Sequence, residues 1–388
     1  MSWRFVLTLI LTMVLGSTGP SIGAEGRSDS SSDESKWIIS SGITPPLPAG
    51  SLLGLALALE RGASSLWLDL VLSADDKLVL LSDVRIERLT NVKTIFPDRS
   101  RPDGSYYSFD FTLDELQQLS LTPHAVLEYL PLGLSRSHLP VTALDDFLHF
   151  VDLVSDDLET PPALICILKQ GWRHLQEGKD LGAAVLDALN NNQSRAGTDA
   201  LMVGSYDPEE LQQLALSRGA GPVDSIGFMQ LIGADDGKEV QRFEFGTYQP
   251  YSYDLLFTKF GLKAVSDYAD TIGLDPEAVF DGSGELLQPR FLDDAHALGL
   301  RVVCSRIDSL PEQLLNLESR PEALLEHLLF TIGFDGIVTT EDRRARGWLV
   351  DLAEEGGNEQ NRIIERLIDQ IGERDAMPSD PVQSDSTR

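Results

Sequence analysis

Short apolar runs alternate with helix-like patterns along most of the chain, and polar segments close both ends. The runs Trp37–Ser40, Trp67–Leu72, Ala163–Lys169, Ala200–Ser205, Ile226–Ile232, Leu300–Arg306 and Phe334–Thr340 have the length and near-continuous apolarity of strands in a parallel sheet covered on both faces. Helices fill the intervals. Ser51 can cap one that ends near Gly62, where glycine accepts the left-handed conformation just past a helix end. Thr112 and Glu115 in "TLDELQQL" make a capping box, and Asp207, Pro208 and Glu210 open another helix. "LGAAVLDALN" and "RARGWLVDLAEE" continue the alternation. It predicts an α/β fold, a TIM-type (β/α)8 barrel. A doubly wound open sheet is the runner-up, disfavoured because no glycine-rich phosphate loop follows the first strand. Two irregular stretches, 91–111 and 233–260, leave the pattern, and the first predicts a small insertion after the second-strand hairpin.

That hairpin, "WLDLVLSADDKLVLLSD", frames a chemical question. An acidic turn, Ser73–Lys77, is too short for a helical crossover, so the strands before and after it must be antiparallel. Centring the turn on Asp75 and Asp76 sets Asp69 opposite Ser82. A carboxylate inside an apolar strand is costly unless it is paired or bound to metal.

The 388 residues suffice for one large barrel or two ordinary domains, and 42% hydrophobic content supports a full core. Acidic groups number 61 against 31 basic, a formal net charge of −30. Such a surface repels nucleic acid and anionic membranes, and suits a soluble, salt-tolerant protein or a cationic or neutral partner. No protein partner can be named from it. At the N-terminus, Arg4, the apolar run Phe5–Leu15 and small residues up to Ala24 have the order of a secretory signal peptide. The run falls short of the ~20 residues of a membrane span. The expected organisation is a signal peptide over 1–24, a Ser/Asp-rich linker over 25–36, the barrel over 37–372 and a polar tail over 373–388. The expected location is secreted or periplasmic, with no transmembrane span once the leader is removed; an uncleaved N-terminal anchor is the other reading. Cys166 and Cys304 each lie in an apolar run, and they read either as a pair or as separate buried thiols. No His/Cys spacing suggests a metal site, and none of the six histidines closes an apolar strand, where barrel catalysts sit.

Several stretches together, in order and with similar spacing, resemble the periplasmic type of glycerophosphodiester phosphodiesterase. They are "LVLLSDVRIERLTNV", "FPDRSRPDGSYYSFDFTLDELQQL", "WRHLQEGKDLGAAV", "FMQLIGADD", "YSYDLLF", "VSDYADTIG" and "FDGIVTTEDR". The resemblance implies a TIM-type barrel. It also implies hydrolysis of glycerophosphodiesters to glycerol 3-phosphate and an alcohol, by two histidines acting as general acid and base beside Ca2+ or Mg2+ held by carboxylates.

This sequence departs from that pattern at the positions that matter. The His-Arg-Gly of the first strand reads Ser40, Ser41, Gly42, and the following Pro-Glu reads Pro48, Ala49. Glu-x-Asp on the second strand reads Trp67, Leu68, Asp69, and His-Asp beyond the hairpin reads Ser82, Asp83. The Glu of Glu-x-Lys is Ile167, with Lys169 kept, and the seventh strand offers Val303, Cys304 and Ser305. Only Asp69, Asp83 and Lys169 survive, and one carboxylate holds Mg2+ or Ca2+ poorly. The expected cofactor set is therefore empty, with Asp69 the sole retained ligand. Asp69 is expected to pair with Lys169, with metal ligation as the other reading. Trp67 is expected to fill the space of the metal and its waters, or else to form a stacking wall for a ligand. Ser40, Ser41 and Ser82, without a base, read as satisfied polar groups or ligand hydrogen-bonders rather than nucleophiles. Cys304 likewise reads as a core residue before a nucleophile. Arg306 reads as an anion binder at the barrel mouth or as a surface salt bridge. The expected picture is a family member without hydrolysis that has a binding or regulatory role in the cell envelope, with a small phosphodiester or anionic ligand as the candidate partner at the mouth. The alternative is an active or weakly active phosphodiesterase.

Overall fold

The computed structural model describes residues 36–349 apart from 44–46, 123–137, 155–157, 159–161, 192–200, 218–225, 308–309, 312–313, 315–320 and 342. The expected leader, all but residue 36 of the expected linker, the end of the expected barrel over 350–372 and the expected tail lie outside the described residues. The chain divides into two compact units, Met1–Asp342 and Arg343–Arg388. In the second, residues 343–349 are helical.

The strands of the first unit are β1 (Trp37–Ser40), β2 (Ser65–Leu72), β3 (Leu78–Leu80), β4 (Ala163–Leu168), β5 (Leu201–Ser205), β6 (Gly227–Ile232), β7 (Gln241–Glu244), β8 (Thr247–Pro250), β9 (Thr271–Leu274), β10 (Arg301–Cys304) and β11 (Gly336–Thr339). Among the described residues, β1, β2, β4, β5, β6, β9, β10 and β11 run parallel in that order, and β1 closes the ring against both β11 and β2. This is the expected (β/α)8 barrel. β9 escapes the sequence pattern because "TIGL" is only four residues long and holds a threonine and a glycine. Its interior is packed rather than hollow, as in barrels of this kind. A Cβ on Gly204 would stand 2.6 Å from Ile167 Cδ1, and one on Gly273 would stand 2.3 Å from Leu231 Cδ2. Both glycines make room for large neighbours.

The caps follow the sequence signals. Ser51 Oγ accepts from Gly54 N ahead of the helix Leu52–Glu60. Thr112 and Glu115 complete their capping box, and Asp207 accepts from Glu209 N and Glu210 N.

The hairpin is antiparallel, but its register differs by one residue from the expectation. Leu70 pairs with Leu80 and Leu72 with Leu78, so Asp69 stands opposite Leu81 and not Ser82. Leu81 N donates to Asp69 O at 3.1 Å. The five-residue turn is centred on Asp75 alone, and Asp76 takes a φ of 57°. β2 outruns β1, meeting it only at Leu66, and beyond Asp69 it takes β3 as its partner. Around this extension the insertion builds a second core from residues that include Val71, Val79, Ile86, Tyr107, Phe111 and Leu116. Buried His174 braces it, with Nε2 accepting from Leu72 N at 3.0 Å. Cys166 and Cys304 are free, buried thiols.

Candidate functional site at the barrel mouth

The retained residues lie where the strands end. Trp67 and Asp69, two apart on β2, share a face, and Trp67 Nε1 donates to Asp69 Oδ1 at 3.0 Å. Trp67 is buried. In register with Asp69 on β4 is the fully buried Ile167, and Lys169 follows at the strand end. The ion-pair partner of Lys169 is Glu239 rather than Asp69, with Nζ 2.8 Å from Oε1. The expected Asp69–Lys169 pair is thus replaced, because the loop after β6 brings a second carboxylate closer to the ammonium. Asp69 still feels that charge. Burial raises its carboxyl above the usual range, Lys169 pulls it down and Glu239 pushes it up again. Burial alone would depress the Lys169 ammonium, but Glu239 and Asp69 outweigh it and hold it above its ordinary value. The ammonium also lies 4.9 Å from the centre of the Tyr206 ring.

Asp275 is the third carboxylate facing Lys169. It accepts from Tyr206 Oη at 3.0 Å and from Ser305 Oγ. Burial raises its carboxyl, while Arg306 and the Ser305 bond oppose the rise. Arg306 itself, at a φ of 48°, pairs with Glu277 at 2.8 Å on the exposed rim, which is the salt-bridge reading. Asp83 accepts from Gln170 Nε2 at 3.0 Å and lies 3.5 Å from Lys238 Nζ. Ser40 is buried at the end of β1, and its Oγ accepts from Gly42 N within its own turn. Ser41 Oγ does the same for Ile43 N, and Ser82 is half-buried beside Asp83.

Sequence reasoning missed Glu239, Tyr206, Asp275 and Gln170. Asp275 carried a misleading signal. "DPE" at 275–277 repeats "DPE" at 207–209, and both precede helices. Asp207 caps its helix, whereas the Asp275 side chain makes no cap bond and turns to Tyr206 and Ser305 instead. Glu239 lies in an irregular polar loop that offers no periodicity to read.

Residues 42–340 match the model of the glycerophosphoryl diester phosphodiesterase family. The chain belongs to this family. Curated relatives include the glycerophosphodiester phosphodiesterases of Haemophilus influenzae, 29% identical over 60% of this chain, and of Treponema pallidum, 26% identical over 59%. The matched stretch spans 66% and 67% of those two proteins. A glycerophosphoryl diester phosphodiesterase from Parabacteroides distasonis shares the fold, with a TM-score of 0.52 over 83% of this chain and 89% of its own at 14% identity. So does a phosphodiesterase from Oleispira antarctica bound to its product sn-glycerol-3-phosphate, with a TM-score of 0.52 over 81% and 96% at 17% identity.

Glycerophosphoryl diester phosphodiesterases use divalent metals, so family membership works against an empty cofactor set. The donor atoms at the mouth among the described residues, however, do not fit such an ion. Where the resemblance expects carboxylate ligands stand Trp67 and Ile167, and Asp69 already accepts from Trp67. No group of three His, Cys, Asp or Glu side chains suited to a metal occurs among the described residues. The Lys169 ammonium faces Asp69, Glu239 and Asp275 together. The histidines among the described residues are also misplaced for proton transfer. His174 is buried and pushed down to about 4 by burial. His138 meets Gln117 O, and His296 pairs with Asp335 at the opposite end of β11. His149 and His327 lie on helices, and His124 lies outside the described residues.

Proposed function

We propose that this member of the family binds a ligand at its barrel mouth without hydrolysing glycerophosphodiesters, and serves a binding or regulatory role in the cell envelope. The observation that carries the reading is the buried Lys169–Glu239 pair, 2.8 Å long, beside an Asp69 whose strand neighbours are Trp67 and Ile167. A protein cation faces the carboxylates, and among the described residues no histidine stands at hand as acid or base. Each missing proton-transfer group typically costs ~10²–10⁴ in rate. A small phosphodiester or other anionic ligand must compete with Glu239 for Lys169, which favours weak, exchangeable binding. The envelope part of the reading is supported by the order of Arg4, the apolar run and the small residues over 1–24. In the described residues no helix is long and apolar enough to cross a membrane.

The second reading, an active phosphodiesterase, is favoured by the activity for which the two curated relatives are named. One experiment separates the two. Purified protein is incubated with glycerophosphocholine and with a chromogenic phosphodiester, each with Ca2+ or Mg2+ supplied. Absence of turnover supports the binding reading, and turnover that a chelator abolishes overturns it. Export is checked on envelope extracts by mass analysis, where a mature N-terminus near Glu25 is expected. Full-length chain in the cytosol overturns that part.

A further inference from the structure

The loop between β6 and β9 carries a separate two-stranded hairpin, β7–β8. Glu244 pairs with Thr247, so Phe245 and Gly246 form the two-residue turn. Both have positive φ, 52° and 83°. Such turns favour Asn-Gly. A phenylalanine at the first position is unfavourable twice over. Its backbone lies in the left-handed region that bulky residues avoid, and the residue is fully exposed. Phe243, two residues earlier, is 65% exposed, and its ring centre is 5.1 Å from that of its cross-strand partner Tyr248. Tyr248 rests on Trp172 at 5.6 Å. Trp172 Nε1 donates to Lys238 O, and the Arg173 guanidinium stacks on the Trp172 ring at 4.4 Å. Lys238 Nζ reaches Asp83, so this ridge of rings runs from the hairpin tip to two cations beside the barrel mouth.

We propose that this ridge docks the barrel mouth onto the headgroup layer of a zwitterionic phospholipid bilayer. Phe243 and Phe245 enter the apolar boundary, and Tyr248, an amphipathic ring, sits at headgroup level. Arg173 and Lys238 face the lipid phosphates. The choice of a zwitterionic surface follows from charge. The protein carries −30 overall, and Glu244, Asp235 and Asp236 are exposed around the hairpin, so a strongly anionic bilayer is repelled while individual phosphates still meet the two cations. A fully exposed aromatic held in a strained turn breaks two local rules at one residue, which is the mark of a site kept for contact.

The docking is independent of hydrolysis at the mouth, and its test does not read turnover. The full chain and its Phe245→Asn variant are each floated with phosphatidylcholine vesicles. Both carry the same apolar N-terminal run, so the difference between them reports the hairpin. Burial of a phenylalanine is worth about tenfold or more in partitioning. Phe245→Asn should therefore lower vesicle binding at least about tenfold, while its melting temperature stays equal or rises, since Asn suits the turn. Phe243→Ser should weaken binding similarly without touching the turn. Equal vesicle binding by wild type and both variants overturns the proposal. So does a dimer, seen by light scattering, that Phe245→Asn disperses, because the ridge would then be covered by a second copy of this chain.

Discussion

Replacing Lys169 with methionine removes the charge on which the mouth is built while keeping most of the side-chain volume. In the native protein its Nζ lies 2.8 Å from Glu239 Oε1, with the two side chains 7% and 12% exposed, and Asp69 and Asp275 also face it. Removing one partner of a buried pair leaves the other charged and unpaired, at a typical cost of ~3–5 kcal/mol. At roughly 2 °C per kcal/mol for a large domain, Lys169→Met should melt about 6–10 °C below wild type. Glu239→Gln should cost less, because the ammonium keeps Asp69 and Asp275 nearby. The double variant Lys169→Met with Glu239→Leu should recover much of the loss, giving a coupling energy of roughly 2 kcal/mol or more. The pH dependence follows from Asp69, whose carboxyl is raised by burial and pulled down most by Lys169. Without Lys169 it rises further. A carboxyl raised in the folded state favours folding most below its unfolded pKa, and that contribution is lost as pH climbs through the folded value. The deficit of Lys169→Met should therefore be larger at a pH above the usual carboxylate range than at one below it. Melting curves by circular dichroism at both pH values decide it. A variant within about 2 °C of wild type at both refutes the view that the ammonium organises the carboxylates.

Three further outcomes are expected. Trp67→Ala should destabilise by ~3–5 kcal/mol in a denaturant titration, because it empties a core position and frees Asp69 of its 3.0 Å bond; a stable Trp67→Ala protein removes the space-filling reading. Burial pushes the Glu210 carboxyl up to about 8. Between its unfolded value near 4.5 and about 8 the folded state holds the extra proton, so stability should fall by up to about 1.4 kcal/mol per pH unit from this group. Glu210→Gln should flatten that slope, and an unchanged slope counts against it. Saturating Ca2+ or Mg2+, which at 100 times a dissociation constant would add ~2.7 kcal/mol, should not raise the melting temperature beyond what NaCl of matched ionic strength does; a specific rise restores a metal site.

The alternation of apolar runs with capped helices was enough to predict the barrel, and the motif order was enough to suggest the family. The composition of the site was most legible on the strands and just beyond their ends. Trp67, Asp69, Ile167 and Lys169 have a period of two, so their shared face can be read directly. The register of the hairpin was off by one because a five-residue turn can be centred on either of two aspartates, and each choice moves every cross-strand partner. Glu239 and Asp275 were not legible as site residues. One sits in a loop without periodicity, and the other looks like the helix cap that its twin Asp207 is.

The sequence by itself determined most of the barrel strands and the helix caps, because each depends on residues close along the chain. Only the tertiary structure decided which charge meets which. Lys169 and Glu239 are 70 residues apart, and Tyr206 and Asp275 are 69 apart. Their pairing depends on where closure of the eight-stranded ring sets each strand end and the loop beyond it. A buried ammonium pairs with the carboxylate that comes nearest. Here the loop after β6 brings Glu239 within 2.8 Å of Lys169, while Asp69, on the adjacent strand, is already bonded to Trp67.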